Sequence, residues 1–185
     1  MSVEIARHLF TVEQYERMIE AGILTKYDRV ELIEGEIVGM SPIGPRHAAC
    51  VSRLNALLQK FGRDTIVGVQ SPVRLGDHSE PQPDISLLKW RDDFYGQGHP
   101  QASDVLLLIE VSDATLKYDR QIKMPLYARA GIEELWLVNL QDGEIEIHAR
   151  PSGGAYQLVR RAGRGETFDS ENGTGLALEV DAVLG

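Results

Sequence analysis

Residues Asp104 to Val111 form an almost unbroken apolar run with Glu110 near its end. A strand half-exposed to water alternates apolar and polar residues, whereas a continuous apolar run reads as a central strand covered on both faces. This stretch therefore demands a sheet with layers packed above and below it. Buried strands do not normally end in an unpartnered glutamate, so Glu110 calls for a companion. A second strand-like run, Asp84 to Leu88, opens on Pro83-Asp84, and the helix-like segment after Glu110 carries Lys123. Two carboxylates and one ammonium at a sheet edge suit metal-assisted phosphodiester hydrolysis. A divalent cation on oxygen ligands lowers the pKa of its water and neutralises charge on the phosphate.

The rest of the chain is consistent with one α/β domain spanning residues 1–185. Thr11 with Gln14 three residues on reads as a capping box for a helix through about Ala21, closed by Gly22. Val30 to Met40 reads as a hairpin turning at Glu34-Gly35. Apolar residues at Val51, Leu54, Leu57, Leu58 and Phe61 give a helix over Arg46 to Phe61, ended by Gly62. Thr65 to Leu75 is β-rich. Thr115 to Ala130 reads as a helix that Pro125 should kink or divide. Leu135 to Leu140, Glu144 to His148 and Tyr156 to Arg160 are strands, the first two joined across Asp142-Gly143. The final apolar piece, Leu176 to Leu184, must pack on something.

Asp119, Lys123 and Tyr127 recur every four residues and share one helix face, beside an expected core stripe of Ile122, Leu126 and Ala130. Taken singly, each of these residues has a bland reading. Pro-Asp is a common strand entry, an i,i+4 Asp-Lys pair a surface salt bridge, and a helix tyrosine ordinary packing. Together with Glu110 they make a shared site.

The segments EGEIVGMSP followed by His47, QPDISLL, and IEVSDATLKYDRQIKMPLYARAGIEELWLV resemble the PD-(D/E)XK restriction-endonuclease-like superfamily. Within it they are similar to the bacterial Uma family, over about Phe10 to Leu140. Glu110, Asp119, Lys123, Tyr127, Gly131 and Trp136 all fall where that family pattern places them. The resemblance implies a restriction-endonuclease-like core, a central mixed β-sheet flanked by helices. Here it would carry an N-terminal helix-hairpin extension and C-terminal β additions. It also implies DNA cleavage with Mg²⁺, or Mn²⁺ as a substitute, bound by Asp84 and Glu110 with the Val111 carbonyl as a further ligand. Homodimerisation is expected by analogy, because cutting two strands takes two sites.

One slot departs from that pattern: Ser112 stands where the motif has lysine, and a hydroxyl carries no positive charge. Lys123 is the physical replacement, its long stem returning an ammonium to the site. Asp119 would help hold it, with Tyr127 behind. His47 is either a phosphate or metal contact or a structural helix-start residue, and Glu31 a candidate auxiliary acid from the hairpin. His8, His78, His99 and His148 lack ligand spacing and read as surface.

Composition limits the alternatives. The net charge of −9 argues against a general nucleic-acid coat protein, since affinity for a polyanion comes mainly from neutralising phosphates. The candidate basic contacts, Arg46, Arg53, Lys89, Arg91, Lys117 and Arg120, are scattered. Trp90, Phe94 and Tyr95 lie beside Lys89 and Arg91, where they would either stack bases or cover the core; covering is the preferred reading. Cys50 alone rules out an intrachain disulfide and reads as a small buried hydrophobe. No segment approaches the ~20 apolar residues of a membrane span, and the N-terminus shows no secretory leader, so a cytoplasmic location is expected. No phosphate loop, dinucleotide fingerprint, nucleophile elbow or zinc-type cysteine pair is present. The rival to an enzyme is a non-catalytic interaction or assembly protein that retains the nuclease fold, favoured by Ser112 and the acidic charge.

Overall fold

The computed structural model describes residues 7–60 and 64–185. Helix α1 (Val12–Glu20) starts at a complete capping box: Gln14 N–H donates to Thr11 Oγ1 at 3.2 Å, and Thr11 N–H donates to Gln14 Oε1 at 2.9 Å. Strands β1 (Val30–Ile33) and β2 (Glu36–Gly39) follow as an antiparallel hairpin. Its turn needs two left-handed residues, Glu34 and Gly35 with φ of 49° and 81°. A Cβ on Gly35 would also lie 2.6 Å from Leu9 Cβ, so glycine is required there twice over.

Helix α2 (Pro45–Leu58) buries Cys50, Val51, Leu54 and Leu58. Phe61 and Gly62, expected to end it, lie outside the described residues. The central sheet comprises β3 (Thr65–Val69), β4 (Ile85–Lys89), β5 (Val105–Ser112), β6 (Glu134–Asn139), β7 (Glu144–Ser152) and β8 (Ala155–Gly163), side by side in chain order. Only β5 and β6 run parallel, the other neighbours being antiparallel, which makes the sheet mixed. The parallel pair requires a crossover, and the segment after β5 provides it as helical turns on one face of the sheet.

That crossover runs through α3 (Leu116–Tyr118), a π-helical turn (Asp119–Lys123) and α4 (Met124–Arg129). Pro125 is the physical reason for a break: it has no N–H to give, and its ring crowds the carbonyl four residues back. The chain widens just before it, so that Met124 N–H bonds to Asp119 O, five residues back.

Alternation along β5 sorts the two layers. Leu107, Ile109 and Val111 join the core under α2, together with Ile85, Leu87, Trp136 and Val138. Leu108 packs on the crossover side with Tyr127, Ile132 and Leu135. Glu110 and Ser112 occupy that same crossover side and are buried. The C-terminal piece forms β9 (Thr167–Asp169), β10 (Ala177–Glu179) and α5 (Val180–Leu184). Leu176, Val180, Val183 and Leu184 fill the α2-side core, as their apolarity required.

Three expectations need correction. Of the expected core stripe Leu126 is buried, but Ile122 is 40% exposed and Ala130 only half-buried; the polar face, Asp119, Lys123 and Tyr127, is buried as well. His148 is buried against Glu146, with Nε2 to Oε2 at 3.0 Å, rather than at the surface. Of the three aromatics expected to cover the core only Tyr95 packs on it, whereas Trp90 and Phe94 are 46% and 61% exposed.

Candidate active site

The site forms where β4 begins and β5 ends. Ile85 pairs with Ile109 in an antiparallel register, so one further step sets Asp84 opposite Glu110. The end of the ladder then reaches into Asp84 itself: Val111 N–H donates to its Oδ2 at 2.9 Å. Gln70, just past β3, donates Nε2 to Oδ1 at 3.1 Å, and His47 in the first turn of α2 meets Oδ2 at 3.0 Å. Gln70 adopts a left-handed φ of 47°, a conformation costly for a non-glycine residue and concentrated at functional sites. All three partners of Asp84 lie far from it in sequence; only the fold brings them in.

Glu110 Oε1 accepts from Tyr127 OH at 2.6 Å and from Lys123 Nζ at 3.1 Å. Lys123 also lies 3.3 Å from Glu31 Oε2, while Glu31 accepts from Gln82 N–H at 3.0 Å and Tyr118 OH at 3.3 Å. Asp119 Oδ2 accepts from Ser112 Oγ and Thr115 Oγ1, each at 2.7 Å. Ser112 therefore positions Asp119, and the ammonium comes from Lys123 one helical segment later. Its stem points inward because its part of the π turn packs on the sheet, and the side chain is buried.

One ammonium thus faces several carboxylates, and the electrostatics follow from that imbalance. Burial alone would lower Lys123, but Glu110, Glu31 and Asp119 outweigh it and raise its pKa, keeping it protonated. Burial pushes Glu110 up to about 8; Lys123 and the Tyr127 hydrogen bond oppose that shift, and Asp119 and Asp84 reinforce it. Both directions are compatible, since Lys123 is shared and cannot fully neutralise Glu110. Asp119 is raised by burial despite its two hydroxyl donors. His47 is raised chiefly by its hydrogen bond to Asp84.

All the residues singled out from sequence, Asp84, Glu110, Val111, Lys123, Asp119, Glu31, His47 and Tyr127, meet in this region, and all but Tyr127 line one cavity of about 500 Å³. Gln70, Gln82, Thr115, Tyr118 and Arg29 were missed. Of the scattered cations, Arg46 donates to Leu140 O, Arg53 to the carbonyls ending α5, and Lys89 to Ser103 O. Arg91 pairs with Asp93 and Arg120 with Glu146. Cys50 is buried, with its thiol pushed up to about 11 by desolvation, so it is no nucleophile. Among the described residues no three His, Cys, Asp or Glu side chains converge as a ready-made metal centre, and no helix is long and apolar enough to cross a membrane.

A mixed sheet with helices on its faces, and carboxylates meeting at the ends of two adjacent strands, is the restriction-endonuclease-like architecture. The chain belongs to the Uma2 family, whose model, described as "Putative restriction endonuclease", matches residues 12–182. Among solved structures it is similar to a crystal structure from Anabaena variabilis ATCC 29413 titled "a putative nuclease belonging to DUF820". Identity is 17% and the TM-score 0.67, with 95% of this chain and 97% of that one covered, a likeness of fold. No protein of curated function matches the chain.

Proposed function

We propose that this protein is a metal-dependent endonuclease that hydrolyses DNA phosphodiester bonds, with Mg²⁺, or Mn²⁺ in its place, at Asp84 and Glu110. The observation that carries the reading is the surplus of buried carboxylate around one ammonium, with Glu110 pushed up to about 8. The donor set suits a hard cation: both side chains offer oxygen, and lone pairs remain on Glu110 Oε2 and on Asp84 Oδ1, which accepts only from Gln70. The Val111 carbonyl is a further candidate ligand. When bound, such a cation supplies a more acidic water and neutralises charge on the scissile phosphate.

The side chains have separable tasks. Lys123, held protonated, cannot serve as a base; it donates hydrogen bonds and opposes the negative charge of the pentavalent phosphate. Tyr127 fixes Glu110 Oε1, leaving Oε2 free to face the cavity. His47, Gln70 and the Val111 N–H fix Asp84. Asp119 and Glu31 keep Lys123 charged and oriented, so they are positioning residues.

The absence, among the described residues, of a three-ligand cluster favours the rival reading of a non-catalytic scaffold. A plasmid-nicking assay with Mg²⁺ or Mn²⁺, comparing the parent protein with Asp84→Ala, separates the two. Nicking by the parent and its loss in the variant are expected. A parent that cuts neither the plasmid nor circular single-stranded DNA, or a variant that cuts as well as the parent, refutes the endonuclease.

A further inference from the structure

The cavity around Asp84 and Glu110 is a pocket of about 500 Å³, the size of a small-molecule site rather than a groove for a double helix. One wall is the β1–β2 hairpin with the segment after it, and it offers apolar surface from Val38, Met40, Pro42 and Ile43. That wall is fastened down. Gly35 N–H donates to His78 O at 2.7 Å, Glu80 N–H to Leu32 O at 2.8 Å, and Glu31 ties it to Lys123.

A pocket of this volume matches one nucleotide better than the side of a duplex, whose phosphates lie on the outside of a rod held rigid by pairing and stacking. The cavity's charge points the same way. Glu31, Asp84, Glu110, Asp113 and Asp119 line it against Lys123 and Arg29, whereas duplex affinity grows with the number of phosphates neutralised.

Beside the pocket lies a feature suited to an unpaired strand. Arg29 lines the cavity, is exposed, and makes no ion pair among the described residues. Its carbonyl accepts from Met40 N–H at 2.8 Å, which couples it to the apolar wall. Two residues earlier, Tyr27 is 83% exposed, with Lys26 Nζ 5.2 Å from its ring centroid. An exposed aromatic ring with one lysine against it, two residues along the chain from an arginine that lines the cavity, supplies what holds single-stranded nucleic acid: bases stack and phosphates pair.

We propose that the substrate is single-stranded DNA, one nucleotide entering the pocket against the Val38–Ile43 wall while a neighbouring base stacks on Tyr27 between Lys26 and Arg29. This rests on the nuclease reading for its chemistry, but the binding preference is measurable by itself.

The test uses fluorescence anisotropy in Ca²⁺ with one labelled oligonucleotide, single-stranded or annealed to its complement, beside cleavage of both forms in Mn²⁺. The single strand should bind at least tenfold more tightly than the duplex, and Tyr27→Ala should weaken that binding about tenfold or more, as loss of one stacked base does. Melting of Tyr27→Ala should match the parent, since the ring is exposed. Equal or tighter duplex binding overturns the proposal, and an unchanged affinity in Tyr27→Ala removes the stacking platform. Strand-selective binding without cleavage of either form would instead overturn the nuclease reading and leave the strand site standing.

Discussion

Replacing Glu110 by glutamine should stabilise the metal-free protein at neutral and alkaline pH and flatten its pH dependence. Glu110 is a buried carboxyl raised from 4.5 to about 8. Because its folded pKa exceeds its unfolded one, the folded state holds the extra proton. The stability this contributes is complete below about pH 4.5 and is lost progressively as pH rises through about 8. In that window the parent should lose up to about 1.4 kcal/mol of unfolding free energy per pH unit through this one group. The full window sets an upper bound of about 5 kcal/mol; glutamine gives up part of the Lys123 interaction, so a net gain of about 2 to 4 kcal/mol at pH 8.5 is expected. Urea unfolding in EDTA at pH 5, 6, 7, 8 and 9 reads the difference directly, since every other titrating group is common to both proteins. Parallel curves would refute the reasoning, because Glu110 would then be ionised throughout, its charge fully met by Lys123.

Lys123→Met should act in the opposite sense, destabilising by about 3 kcal/mol at pH 8.5 and by less at pH 6, where Glu110 can take up a proton instead; the same urea series checks it, and a pH-independent loss would contradict it. In His47→Ala, Asp84 keeps its Val111 and Gln70 donors but loses the imidazole at 3.0 Å. The Mn²⁺ concentration needed for half-maximal rise in melting temperature should increase about tenfold to a hundredfold, as for other residues that orient a ligand, whereas an unchanged midpoint would confine His47 to packing.

Much of the sheet was legible because its signals are local. The apolar run ending in Glu110 required a strand covered on both faces, and Thr11 with Gln14 capped α1 as the residue types demand. What the sequence concealed depends on approach in three dimensions. Glu31 could be named only as a candidate acid, because nothing local to it shows that β1 lies against Lys123. Gln70 reaches Asp84 only because β3 and β4 pair in one register and the chain then turns left-handed. The helix face was misread for a different reason. A 3.6-residue period treats Ile122 as core, but the π turn inserts a wider step at Asp119–Lys123, and buried carboxylates are available there to neutralise a lysine that hydrophobicity alone would send to solvent.

The serine in the motif's lysine position is consistent with this geometry. What transition-state stabilisation requires is a positive charge at a point in space, and the backbone position that delivers it is free to change if the stem is long enough. Ser112 sits on the crossover face of β5, two residues from Glu110, and its hydroxyl donates a hydrogen bond to Asp119. That bond anchors the start of the π turn to the end of the strand. The turn then presents Lys123 to Glu110 at 3.1 Å, where an ammonium from residue 112 would have had to share the same crowded space with Asp119 and Thr115. On the proposed mechanism Ser112 and Lys123 are two halves of one arrangement: the hydroxyl fixes the turn, and the turn carries the charge.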